Sequence, residues 1–127
     1  MSNSKMTNPK SPIKRMPKIM SEAKINKRLA IEVMGWEVKT RGGQKFYPAS
    51  KYRYLEESWN PCKNIAQAGE VVERMRKVYS FQISNSVAMW WDVVFSKDEK
   101  HWFSYKESAP MAICIAALAA LGAVKLK

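Results

Sequence analysis

The sequence predicts an α+β domain, a three-layer α-β-α sandwich with a mostly antiparallel sheet, and three observations carry that expectation. Two stretches repeat apolar residues at helical spacing, and a third is apolar on nearly every face. Between them lie short segments that alternate with period two, joined by turn residues. One of these segments, Ala88–Ser96, carries bulk at both parities, with Met89, Trp91, Val93 and Phe95 on one and Trp90 and Val94 on the other. A strand apolar on both faces is expected to be central and covered by helices on both sides.

The elements follow in the order α-β-β-α-β-β-β-α. Ser21 offers an N-cap, Ile25, Leu29 and Val33 recur every four residues, and Gly35 supplies the stop, so the first helix is expected over Ser21–Met34. Trp36–Thr40 alternates as a strand, Arg41-Gly42-Gly43-Gln44 reads as a hairpin turn, and Lys45–Tyr47 returns. Pro48–Ser58 is irregular. Asn60-Pro61 is expected to open the second helix, because Asn caps free backbone N–H groups and Pro suits the first helical position. Ile65, Ala68, Gly69, Val72, Met75 and Tyr79 would then form its apolar face. Ser80–Ser84, Ala88–Ser96 and His101–Lys106 are the remaining strands, with a turn at Lys97–Lys100. Ser108-Ala109-Pro110 opens the third helix and Gly122 closes it.

With 127 residues and a 46% hydrophobic share, the chain suits one folded domain, expected over 21–127. Its net charge of +11 is unevenly spread. Residues 1–28 carry eight Lys/Arg and one acid, giving +7; residues 29–127 carry fourteen and ten, giving +4. Residues 1–20, polar and without apolar period, are expected to be a flexible basic arm. Lys or Pro interrupts every apolar run in that arm, so no secretory signal is readable. Cys62 and Cys114 lack CxxC pairing and read as reduced thiols of a cytosolic protein. Ser108–Val124 is uncharged but only 17 residues long and Ala-rich, so it is expected to be a buried helix rather than a membrane span.

Few residues point to chemistry. Cys62 near a helix start and His101, the sole histidine, are the only nucleophile and base of a conceivable pair; a space-filling cysteine is the better reading. Asp92, between Trp91 and Val93, reads as a structural strand acid. No metal-ligand spacing is present, no cofactor is implied, and no enzyme is expected. An anion is better served. Trp59, Asn60, Lys63 and Asn64 would surround the free N–H groups of the second helix, Trp36 would add stacking surface, and Arg41 would add charge. The same Asn-Pro step is also ordinary capping, and a Trp before a cap is often a hydrophobic staple. Lys10, Lys14, Arg15 and Lys18 of the arm would favour nucleic-acid phosphates, although no recognition motif accompanies them. Finally, a third helix apolar on nearly every face is expected to make a homo-oligomer, with Ala117 in the interface.

Three groups of residues also carry a family resemblance. Ile31-Glu32-Val33-Met34-Gly35-Trp36, then Trp59-Asn60-Pro61 with Asn64-Ile65-Ala66 and Glu70-Val71-Val72-Glu73, then Ala109–Leu118 resemble the phage ABA sandwich domain in the same order. The resemblance runs from about Glu22 to Gly122 and implies a phage or prophage origin, hence the host bacterial cytoplasm, and an α-β-α fold. It implies no particular activity, and Lys39–Glu57 and the arm depart from it. The expectation is a non-enzymatic phage accessory protein that binds a small anionic ligand or a host factor, with sequestration of a nucleotide-type immune signal as one version. The alternative is a nucleic-acid-associated protein acting through its arm.

Overall fold

The computed structural model describes residues 20–85 and 90–122. The elements fall in the expected order: α1 (Glu22–Arg28), β1 (Lys39–Arg41), β2 (Gln44–Phe46), α2 (Ile65–Met75), β3 (Ser80–Asn85), β4 (Trp91–Lys97), β5 (Lys100–Lys106) and α3 (Ala109–Ala120). A π-helical turn, Leu29–Val33, prolongs α1, and a 3-10 turn, Glu56–Ser58, precedes α2. The fold is α+β, with two antiparallel sheets, β1-β2 and β3-β4-β5. The expected arm lies outside the described residues except for Met20, as does the expected start of the fourth strand at Ala88 and Met89.

Local grammar sets most of the ends. The Ser21 hydroxyl accepts from the Lys24 N–H at 3.3 Å, and the Ser108 hydroxyl from the Met111 N–H at 3.3 Å. Gly35 stops the first helical segment at φ +73° and Gly122 follows α3 at φ +74°, conformations that cost a side chain roughly 1–2 kcal/mol. Gly42 and Gly43, at φ +57° and +82°, make the two-residue turn joining β1 to β2. The β4–β5 hairpin uses the same positive angles without glycine, at Asp98 (φ 52°) and Glu99 (φ 68°). Glu99→Gly should therefore raise stability by about 1 kcal/mol, read as a higher midpoint in urea at unchanged slope.

Two boundaries differ from expectation. The α2 N-cap is Asn64, which accepts from the Gln67 N–H at 3.0 Å, and not Asn60. Asn60 instead closes a turn, its carbonyl accepting from the Lys63 and Asn64 N–H groups at 3.1 and 3.0 Å. Its side chain is engaged elsewhere: Asn26 Nδ2 donates to Asn60 Oδ1 at 2.8 Å. Pro61 and Cys62 are consequently buried turn residues rather than helical ones. The buried face of α2 is Gln67, Ala68, Val71 and Met75, while Ile65 is exposed. Gln67 is drawn inward because Nε2 donates to the Ser58 carbonyl and Oε1 accepts from the Asn60 N–H. The first strand starts at Lys39 instead of Trp36, whose ring turns into the core.

The helix α3 lies at the centre. It packs on β4 and β5 on one side and on α2, α1 and the π-helical turn on the other. Ala112, Cys114, Ala116, Ala117 and Leu118 are wholly buried within the single chain. This weakens the reason given for a homo-oligomer through the C-terminal helix: most of its apolar circumference is covered by its own fold, while Met111, Ile115 and Ala120 are among the residues left half-buried. A correction concerns β4. Its inward parity, Val93 and Phe95, is buried under α3, but its other parity is not covered by any helix among the described residues.

Candidate functional site

That uncovered parity forms one continuous surface. Directly opposed residues of antiparallel strands point to the same side of the sheet. Val94 faces Gln82 and Phe103, Asp92 faces Ser84 and Tyr105, and Ser96 faces Ser80 and His101. Phe103 is 69% exposed and Tyr105 is 48% exposed. Trp90 stacks on Tyr105, with ring centroids 4.9 Å apart and planes 24° apart. Asn85 Nδ2 holds the Trp90 carbonyl at 3.0 Å, fixing the chain that carries that ring. The sheet is hollowed here into a shallow concavity of about 800 Å³. Large apolar rings left facing water on a sheet mark an interaction surface more often than a folding requirement. Around them stand short polar groups able to direct hydrogen bonds: Gln82, Ser84, Asp92 and the Ser96–His101 pair, joined at 2.7 Å.

The residues singled out from sequence as an anion site are not brought together in that role. Trp36 and Trp59 are 6% and 1% exposed, and form an edge-on pair at 4.8 Å in a buried aromatic cluster with Tyr47 and Tyr54. Trp59 Nε1 donates to the Asn26 carbonyl at 2.9 Å. Neither ring presents a face on which a ligand could stack. Asn60 is tied to Asn26, Lys63 pairs with Glu22 at 3.6 Å, and Asn64 caps α2. Arg41 stands exposed at the β1–β2 hairpin. The cleft beside Asn60 sets Lys24, Lys27 and Lys45 against Glu22, Glu56 and Glu57, so it holds no surplus of positive charge for an anion. Lys10, Lys14, Arg15 and Lys18 lie outside the described residues.

Other titratable groups serve the fold. Burial, reinforced by the Glu70 carboxylate that accepts from its hydroxyl, holds the Tyr54 phenol above its ordinary pKa. Burial and the nearby Glu56 charge do the same for Tyr47. Cys62 and Cys114 are both buried and free; a hydrogen bond between the two thiols, then burial, raises the Cys114 pKa. His101 is bonded to Ser96 in the exposed hairpin, so a Cys62–His101 pair is not assembled. Among the described residues no group of three His, Cys, Asp or Glu could hold a metal, and no helix is long and apolar enough to cross a membrane.

A central apolar helix, with an antiparallel sheet over it that carries aromatic rings on its outer face, defines a small α+β sandwich. The chain belongs to the phage ABA sandwich domain family, whose model matches residues 27–118. It is similar to a phage protein from Bacillus cereus ATCC 14579 of known crystal structure, at 26% identity, with a TM-score of 0.63 over 85% of this chain and 99% of that one. No curated protein matches the chain.

Proposed function

We propose that this is a non-enzymatic phage accessory protein whose working surface is the outer face of the three-stranded sheet, where it takes a planar, ring-bearing anion such as a nucleotide. One observation carries this reading: Phe103 and Tyr105 stand exposed side by side on β5, with the Trp90 ring laid against Tyr105. Exposed rings give a heterocycle a stacking surface, and a stacked base contributes about 1–3 kcal/mol. The polar groups of the face match the edges of such a ring, with Gln82, Ser84 and Asp92 in the adjacent rows. Residues 29–127 contribute +4, a mild general attraction for phosphate. Sequestration of a nucleotide-type host signal is one use of such a surface, and the buried Trp36 and Trp59 take no part in it.

Isothermal titration with a panel of mononucleotides and cyclic nucleotide messengers tests the reading. Heat of binding with at least one of them is expected, and Phe103→Ala should weaken it by about tenfold, the equivalent of ~1.4 kcal/mol. Because Phe103 is already in water, that variant keeps its fold. No heat with any member of the panel would overturn the reading.

A further inference from the structure

We infer that the ring taken by this face is a guanine, stacked on the β5 aromatics and held by its N–H edge on the Asp92 carboxylate. This rests on the face assigned above and goes further, naming the base.

Charge is the first support. Among the described residues, Asp92 is the only charged side chain lining the concavity, and its polar companions there include Gln82, Ser84 and Tyr105. Its two cross-strand neighbours, Ser84 and Tyr105, are neutral, and no described cation pairs with it. An ionised carboxylate only accepts hydrogen bonds. A ligand seated here must therefore turn donors toward Asp92 and keep its phosphate away from it. The carboxylate thus decides which edge of the ring faces inward.

The chemistry of base edges is the second support. Guanine carries two adjacent donors, its ring N–H and its exocyclic amino group, spaced to meet both oxygens of one carboxylate. Adenine and cytosine set a single amino group beside a ring-nitrogen lone pair. Uracil and thymine set a single N–H between two carbonyls. Each of these four brings a lone pair against the carboxylate; guanine does not. The carbonyl of guanine beside its donor pair needs a donor in return, and the Ser84 hydroxyl across from Asp92 and the Gln82 amide on the same strand can supply one.

Position is the third support. Tyr105 shares the Asp92 row, and Phe103 shares the next row of this face with Val94, about 7 Å along the strand. A two-ring base anchored at Asp92 reaches from the first row toward the second, over exposed aromatic surface throughout. Its sugar leaves from the side of the base far from the bonded edge, which carries the phosphate away from the carboxylate.

The test is isothermal titration of the full chain with the monophosphates of guanosine, inosine, adenosine, uridine and xanthosine. Inosine differs from guanosine only in lacking the exocyclic amino group. Guanosine monophosphate should bind about tenfold or more tightly than inosine monophosphate, the loss of one hydrogen bond to a charged group. Asp92→Asn keeps the shape of an exposed side chain, should erase that preference, and should turn it toward xanthosine monophosphate, whose extra carbonyl accepts from the new amide. A defect of folding weakens every ligand alike and cannot produce such a switch. Equal binding of the guanosine and inosine forms, tighter binding of another nucleotide by the parent protein, or an Asp92→Asn protein with unchanged preference would overturn the inference and leave the ring-binding face standing. No heat with any nucleotide would remove both. Argininamide offers the same pair of donors without a purine; if it binds as tightly as guanosine monophosphate, the face belongs to an arginine of a protein partner and guanine is wrong. A dimer by light scattering that Phe103→Ala dissolves would assign the face to a second copy of the chain and overturn both readings.

Discussion

Ala117→Glu is expected to abolish folding, giving an insoluble chain or one without cooperative unfolding, rather than a soluble protein of lower mass. Ala117 is 0% exposed, and its neighbours on α3 are equally enclosed between the sheet on one side and α1 and α2 on the other. A carboxylate at this enclosed position must be either desolvated or protonated, while its extra methylenes overfill a packed site. Such a substitution costs more than about 4–5 kcal/mol, comparable with the whole stability of a domain this size. Expression with circular dichroism, followed by light scattering of any soluble fraction, decides it. A folded Ala117→Glu protein of reduced mass would return α3 to the role of an interface between copies.

Asn26→Ala is expected to cost about 3 kcal/mol in chemical denaturation, more than any exposed polar residue. Asn26 sits on α1 beside the apolar stripe and is buried. Its side chain donates to Asn60 Oδ1 at 2.8 Å and accepts from the buried Cys62 N–H at 3.3 Å. Its carbonyl meanwhile takes the Trp59 indole proton at 2.9 Å. The amide therefore fastens the 59–62 turn to α1. Truncation leaves the Cys62 N–H buried without a partner, and an unsatisfied buried donor costs about 1–3 kcal/mol beyond the lost packing. Asn60→Ala removes only the first of these bonds and should cost less. A larger loss from Asn60→Ala than from Asn26→Ala would show that the turn is held in another way.

What was legible in the sequence was local. Ser21, Ser108, Gly35, Gly122 and the Gly42-Gly43 turn acted through their own backbone neighbours, and all sit where their chemistry places them. The stripe Ile25, Leu29, Val33 is buried as its spacing requires. Choices that depended on a distant partner were not legible. Asn60 and Asn64 are equal as caps by residue type, and what separates them is Asn26, 34 residues away from Asn60 in the chain. Trp36 and Trp59 read as exposed stacking surface because nothing in their own segments announces the aromatic cluster that encloses them.

The sheet face was missed for the opposite reason. Bulk at both parities of β4 was read as cover on both sides, yet its outer parity carries only Trp90 and Val94 among Asp92 and Ser96. Its partner strand held the signal: in Trp102-Phe103-Ser104-Tyr105, two aromatics share the parity that β3 and β4 fill with Gln82, Ser84 and Asp92. Polar neighbours on three strands leave those rings without a covering helix among the described residues.

The central claim is that these rings are a binding surface. The most direct measurement is the quenching of intrinsic tryptophan fluorescence on titration with a mononucleotide, because Trp90 belongs to the platform, whereas Trp36 and Trp59 are buried and Trp91 and Trp102 stand on the opposite parity of the sheet. The account predicts saturable quenching that a Trp90→Phe substitution largely removes and that Phe103→Ala shifts to higher concentration. Undiminished quenching in Trp90→Phe, or no quenching in the parent protein at low salt, would contradict it.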